Sequence, residues 1–219
     1  MSAERVVTLD GPAGVGKTTL ARAVAAHLGV PYLDTGAMFR CLALKLGAGA
    51  EERAPEKLRA QCAAWRFSLS GSGDASVLSC NGVAIGQEVR TEAVGMLASR
   101  VAAVPVVREI LKEAQRAIAG QTALVVEGRD MGTVVFPQAR YKFFLDARPE
   151  VRALRRLHEL EARGERPDIN ALTAQIRARD EQDRSRAVAP LRPAADAVLV
   201  DTSDLDIDGV LACILRHIP

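Results

Sequence analysis

The sequence predicts an α/β fold: a central parallel sheet flanked by helices, with a small antiparallel insert and a short lid. Three observations lead there. Short β-branched or apolar runs alternate with segments of helical period along most of the chain. A stretch near the middle switches to period 2 around an Asn-Gly pair. A glycine-rich turn joins the first apolar run to the first helix. With 219 residues, 48% hydrophobic and 26% charged, the composition is globular. One domain is expected over 1–219, its insert at about 63–87 and its lid at about 152–168.

Val6-Val7-Thr8-Leu9 is a β-branched run ending at Asp10-Gly11, and Leu20, Val24 and Leu28 then recur on one helical face. Pro31-Tyr32-Leu33 reads as a second strand, followed by a helix from about Ala37 to Leu46 and a polar connection through Pro55. From Trp65 to Ile85 the period is 2. Trp65, Phe67 and Leu69 alternate with polar residues, and Leu78 and Cys80 face Val83 and Ile85 across Asn81-Gly82, a strong hairpin signal. Gly71-Ser72-Gly73 breaks this patch, which is expected to pack on or over the main sheet, with Trp65 packing it rather than stacking on a base.

Helices resume from about Glu92 to Ala103 and, with Pro105 in a first-turn position, from Val106 to Ala119, stopped by Gly120. Ala123–Val126 and Tyr141–Leu145 are apolar enough for central parallel strands and end in Glu127 and Asp146. Pro149 and Glu150 open an Arg-rich helix to about Arg163, and another runs from about Asn170 to Arg186. Ala197–Val200 is a last strand before a helix from about Asp206 to His217.

Charge and composition narrow the function classes. Lys plus Arg number 29 against 27 Asp plus Glu, a net charge of +2, which lacks the basic excess of a nucleic-acid footprint; no nucleic-acid partner is expected. No apolar run approaches the roughly 20 residues of a membrane span, so no membrane association and a cytoplasmic location are expected. Cys41, Cys62, Cys80 and Cys213 form no CxxC pair and read as buried small hydrophobes in a reducing compartment. His27, His158 and His217 stand apart, and no ligand or base role is assigned to them. The basic residues comprise 24 Arg and 5 Lys. The Arg fork matches phosphate, but codon bias gives the same ratio, so position must decide.

Gly11-Pro12-Ala13-Gly14-Val15-Gly16-Lys17-Thr18 fits GxxxxGK[ST] and sits where that motif must, after a strand and before a helix. Its glycines let consecutive backbone N–H groups point at phosphate oxygens, and the helix N-terminus adds positive potential. Lys17 reaches the β- and γ-phosphates and Thr18 can hold Mg²⁺, although Thr19 follows directly and either hydroxyl could serve. The fold is therefore expected to be of the P-loop NTPase kind. Such a loop leaves the acceptor open among hydrolases, switches and kinases.

Arg40 follows the second strand and Arg129 lies in Glu127-Gly128-Arg129-Asp130, both at the carboxyl edge of the sheet where open α/β folds bind ligands. Arg179, Asp183 and Arg186 share one helix face by spacing, with a solvated ion-pair face as the alternative. Arg152, Arg155 and Arg156 are candidates for a lid closing over ATP; for Arg152 in particular a solvated helix face competes.

With these residues in view, the chain resembles the bacterial cytidylate kinases over nearly its whole length. The resemblance is carried by Leu9-Asp10-Gly11-Pro12 with the phosphate loop, by Leu33-Asp34-Thr35-Gly36-Ala37-Met38-Phe39-Arg40, and by Glu88 to Val94 and Ser99 to Ala103. Most specific are Glu127-Gly128-Arg129-Asp130-Met131-Gly132-Thr133-Val134-Val135-Phe136-Pro137 and Arg179-Asp180 through Asp183 to Leu191. It implies a monomeric nucleoside monophosphate kinase that uses ATP and Mg²⁺ to phosphorylate CMP and dCMP, with the insert on the acceptor side.

At matching positions the resemblance implies that Arg40, Arg129 and Arg186 hold the acceptor phosphate, with Arg129 and Arg186 joining Lys17 in catalysis. It further implies that Arg179 and Asp183 contact the sugar, that Ser99, Arg108 and Asp130 read the base, that Thr35 lines the acceptor site, and that Thr19 and Arg156 join the loop around ATP. Cytosine presents an amino donor beside two acceptors, which suits Asp130 with neighbouring donors, whereas uracil would set lone pairs against the carboxylate. Phe39 stands where the family commonly has Tyr. Two other readings stay open: a kinase of another small acceptor such as UMP, and a nucleotide-binding switch, although the chain has no NKxD guanine-reading tetrapeptide.

Overall fold

The computed structural model describes residues 5–218. From β1 (Val6–Asp10) the chain passes through α1 (Lys17–Leu28), β2 (Tyr32–Asp34), α2 (Thr35–Leu46) and α3 (Pro55–Cys62). Three short strands follow, β3 (Phe67–Ser70), β4 (Val77–Cys80) and β5 (Val83–Ala84), and then α4 (Glu92–Val101) and α5 (Pro105–Ala119). After β6 (Leu124–Gly128) and β7 (Tyr141–Asp146) come the helices α6 (Pro149–Glu161) and α7 (Ile169–Ser185), then β8 (Val198–Asp201) and α8 (Ile207–Leu215).

Strands β2-β6-β1-β7-β8 form one parallel sheet in that order, and β3-β4-β5 form a separate antiparallel one. Every residue of β1 and β6 is buried, which explains why these strands read as continuous apolar runs. Successive side chains alternate between two cores. Val6, Leu124 and Val126 pack with Leu42, Leu58 and Leu111 of α2, α3 and α5, while Val7, Leu9 and Val125 pack with Leu20, Val24 and Ile214 of α1 and α8.

The local signals act as their chemistry dictates. Asp34 caps α2 by accepting from the Ala37 N–H at 2.9 Å, and Pro105 occupies the first turn of α5. Asn81 and Gly82 both have positive φ, 53° and 77°, as a two-residue hairpin turn requires. The insert is tied to the sheet edge beside β2: the Tyr32 N–H donates to Ser76 Oγ at 2.9 Å and the Gly73 N–H to Val30 O at 2.9 Å. Trp65 packs against both the main core and the insert.

Two local elements escape the sequence reading. The connection through Pro55 leads into α3, whose Leu58 and Cys62 are its only buried residues, too sparse an apolar set to register as a period. Residues Met131–Val135 wind into a single π-type turn. All four cysteines are free; Cys41, Cys62 and Cys80 are buried and Cys213 is half-buried. Among the described residues no helix is long and apolar enough to cross a membrane.

Candidate active site

The phosphate loop leaves β1 at the carboxyl edge of the sheet. Gly11 adopts φ 151°, and a Cβ there would lie 2.1 Å from the Leu145 carbonyl oxygen of β7, so any side chain would push the loop off the neighbouring strand. Gly16, at φ 87°, turns the chain into α1 and aims that helix's free N–H groups into the loop. Lys17 is buried and its ammonium donates to Pro12 O at 2.5 Å. Burial, and then the Arg129 charge, bring its pKa down to about 7.

Thr18 Oγ1 donates to Glu127 Oε1 at 2.7 Å, and the buried Tyr32 hydroxyl donates to the same oxygen. Thr19 is exposed, so Thr18 is the loop hydroxyl that faces the carboxylate. Burial and the nearby Asp34 raise the Glu127 pKa against the pull of Lys17. A hydroxyl and a carboxylate at the loop mouth are hard oxygen donors of the kind Mg²⁺ takes together with phosphate and water. The described residues gather no group of three or more His, Cys, Asp or Glu for a closed cage. Thr18 and Glu127 thus fit an Mg²⁺ that arrives on nucleotide phosphates.

Asp10 ends β1 and accepts from the backbone N–H groups of Met131 at 2.9 Å and Gly132 at 2.7 Å. It fixes the segment bearing Arg129 and Asp130, and burial raises its pKa to about 6. Beside it, Thr35 Oγ1 donates to Glu127 O at 2.7 Å, so that hydroxyl holds the strand end rather than standing free. Arg90 donates to Asp34 at 2.6 Å.

A cluster of guanidinium groups faces this edge. Arg129 Nε donates to Asp183 Oδ2 at 3.0 Å, and Arg186 lies 3.6 Å from Asp183 Oδ1 while its Nε donates to Ala189 O. Arg40 is half-buried and reaches Val89 O at 3.3 Å. Arg179 Nε and Arg186 Nη2 are buried with no hydrogen-bond partner. The electrostatics register the crowding. Burial and then Arg129 lower Arg179 to about 10; burial and then Arg108 lower Arg186; burial and then Arg90 lower Arg40. Burial alone would raise Asp183, yet Arg129, Arg186 and Arg179 together hold its carboxyl below the ordinary value. Buried guanidinium donors without partners, grouped around one carboxylate, make a site for an anion with several oxygens.

Deeper in, Arg108 and Asp130 form an ion pair whose side chains are 8% and 3% exposed. Arg108 also donates to Ala102 O at 3.1 Å and lies 5.6 Å from the Phe39 ring centre, so an aromatic face takes the place of a phenol at this position. A cavity of about 30 Å³ is bounded in part by Phe39, Arg108, Gln115 and Asp130. Ser99 is not at this pair: its hydroxyl meets Gln182 of α7 at 3.3 Å.

The three arginines of the expected lid part company. Arg152, 1% exposed, is neither a lid arm nor a solvated side chain: it donates to Ala147 O at 2.9 Å, to Ala13 O of the phosphate loop at 3.1 Å and, through both terminal nitrogens, to Asp180. It is buried because two helices and the loop converge on one fork-shaped donor. Arg155 binds Thr202 after β8, at 3.1 Å to its Oγ1 and 2.5 Å to its carbonyl. Arg156 pairs with Glu159 at 3.0 Å, and its charge helps to lower Arg40. On α7 the solvated ion pairs are Arg177 with Glu150 and Arg184 with Asp146, while Arg179 and Asp183 turn inward.

Thus Lys17, Thr18, Arg129, Arg179, Asp183 and Arg186 converge, with the Arg108–Asp130 pair behind them. The reading from sequence had not singled out Asp10, Tyr32, Asp34, Arg90 or Glu127 as site residues. For Asp10, Asp34 and Glu127 the available signal was a carboxylate at the end of a core strand; Tyr32 and Arg90 carried none.

A family model described as cytidylate kinase matches residues 7–219. Cytidylate kinase of Nitratidesulfovibrio vulgaris is 64% identical over 217 residues, covering 99% of this chain and 94% of that one. The Oleidesulfovibrio alaskensis protein of the same name is 59% identical with both chains fully covered, and that of Lawsonia intracellularis is 46% identical over 100% of this chain and 97% of its own. A crystal structure of an uncharacterized protein from Eubacterium ventriosum superposes over 97% of each chain with a TM-score of 0.51 at 10% identity, a likeness of fold.

Proposed function

Because the chain belongs to the cytidylate kinase family, we infer that it transfers the γ-phosphate of ATP to CMP or dCMP, giving ADP and CDP or dCDP. The observation that carries the reading is the cluster of partly unpartnered buried guanidiniums set beside a phosphate loop. One phosphate group is gripped by the loop, and the other is received by the arginines.

The ATP phosphates lie along the backbone N–H groups of residues 13–18, and the Lys17 ammonium exchanges Pro12 O for the β- and γ-phosphate oxygens. Mg²⁺, held by Thr18 and Glu127, neutralises charge on the polyphosphate when bound. Arg40, Arg129 and Arg186 take the CMP phosphate, and Arg179 and Asp183 the sugar. Asp130 accepts from the cytosine amino group with Arg108 beside it, and Ser99 completes this contact by leaving Gln182.

The attacking oxygen belongs to an already ionised phosphate, so no protein nucleophile is needed. Positioning in line and charge neutralisation supply the catalysis while the new P–O bond forms and the bond to ADP breaks. The lid is the outer part of α6 with Arg156 and the loop to α7; Arg152 belongs to its anchor. A monomer suffices, since every group named comes from one chain, and the cytoplasm supplies these nucleotides and keeps the four thiols reduced.

ADP release with MgATP, measured against CMP, dCMP, UMP, AMP, GMP and no acceptor, tests the reading. Turnover confined to CMP and dCMP is expected. Release independent of acceptor would make the chain an NTPase or a switch.

A further inference from the structure

We propose that Arg152 and Asp180 are positioning residues: a buried brace that sets the acceptor-binding face of α7 at a fixed distance from the phosphate loop. The inference rests on the reading of Arg179 and Asp183 as acceptor contacts.

Arg152 lies one turn inside α6 and Asp180 lies in α7 between Arg179 and Asp183. Its guanidinium is shared three ways, to α7 through Asp180, to the phosphate loop through Ala13 O at 3.1 Å, and to the end of β7 through Ala147 O at 2.9 Å. The loop also rests on the stem of the same side chain, since a Cβ on Gly14 would stand 3.2 Å from Arg152 Cβ. Donor loop and acceptor helix are therefore tied to one rigid, planar group.

Stability alone does not call for an ionic group here, because a buried ion pair replaced by apolar residues of similar volume is often neutral or stabilising. Two apolar side chains would hold α6 against α7, where Ala153, Leu160 and Leu172 already pack. They could not also bond the Ala13 carbonyl, whereas an arginine fork meets a carboxylate and a carbonyl at once. A displacement of Asp180 carries Arg179 and Asp183 with it, and an error near 1 Å at reacting groups can cost about 10²-fold in rate.

The test is the double variant Arg152→Met with Asp180→Leu, which removes the brace and leaves a packed pair. Thermal midpoint, dissociation constant for a fluorescent ATP analogue, and kcat and KM for the mononucleotide that the wild-type chain uses best are measured together. The expected result is a midpoint within a few degrees of wild type, donor affinity within about threefold, and acceptor kcat/KM lowered by about 30-fold or more. Acceptor kcat/KM within threefold of wild type overturns the brace, as does an equal loss of donor affinity. If the double variant does not fold, Arg152→Lys carries the same test, since its single ammonium keeps the charge but cannot span the three partners. An acceptor other than a cytidine nucleotide in the wild-type measurement would refute the functional reading, and the brace would still be tested with that acceptor.

Discussion

Arg179→Met should make the protein more stable and a worse enzyme. Burial and the Arg129 charge bring Arg179 down from the ordinary guanidinium value to about 10, and its Nε has no hydrogen-bond partner. At pH 7 the group is charged in both folded and unfolded chains, so the cost of holding that charge is present in full. A fall of this size corresponds to about 3 kcal/mol, and the partial exposure of the side chain reduces it to about 1–3 kcal/mol. Methionine has similar length and no charge, and Asp183 keeps Arg129 and Arg186 as partners.

For a chain of this length 1 kcal/mol moves Tm by about 2–4 °C, so scanning calorimetry at pH 7 should show a rise of about 2–12 °C. The same substitution removes a charged donor from the acceptor, and kcat/KM for CMP should fall by about 10- to 100-fold. The increase in Tm that CMP produces should shrink in parallel. A variant with Tm at or below that of wild type would refute the claim that Arg179 is held at a cost for its ligand.

Lys17→Met should lower kcat by about 10²- to 10³-fold, because the ammonium stabilises charge that develops on the transferring group, and turnover near wild type would remove that role. Since Lys17 is held at about 7 and polyphosphate favours its charged form, MgATP binding at pH 8 should take up about one proton and weaken as pH rises. Calorimetric heats that do not change with the ionisation enthalpy of the buffer would count against it. Asp130→Asn, whose amide N–H can face uracil O4, should reduce the ratio of CMP to UMP kcat/KM by about 10- to 100-fold, and an unchanged ratio would place base reading elsewhere.

The parts of this site legible in the sequence are those fixed by local rules. The phosphate loop follows from glycine geometry between a strand and a helix, and the shared face of Arg179, Asp183 and Arg186 from helical spacing, although spacing alone could not say that this face turns inward while Arg177 stays solvated. Asp10, Tyr32 and Glu127 are different. Their roles come from strands brought side by side, as in the Tyr32 hydroxyl meeting a carboxylate 95 residues away. Arg152 was misread for the same reason: an Arg-rich helix in isolation looks solvated or lid-like, and only the convergence of α6, α7 and the phosphate loop buries one of its arginines. The helix α3 was missed because two apolar residues suffice once the core already exists.

Sheet register explains why donor and acceptor chemistry meet at all. Asp10 pairs with Gly128 across the parallel ladder between β1 and β6, so the phosphate loop and the Arg129–Asp130 segment leave the sheet one strand spacing apart, about 4.8 Å. Asp34 pairs with Glu127 on the other side, which brings the start of α2 and its Arg40 to the same edge. Asp10 then reaches from the donor strand to the Met131 and Gly132 N–H groups and fixes the acceptor segment at that spacing. Three neighbouring strand ends thus place two anion sites of positive charge within reach of one another. On the proposed function, that register sets the donor and acceptor phosphates within reach of one another, and the charges of Lys17 and the arginines offset their repulsion, as in-line transfer requires.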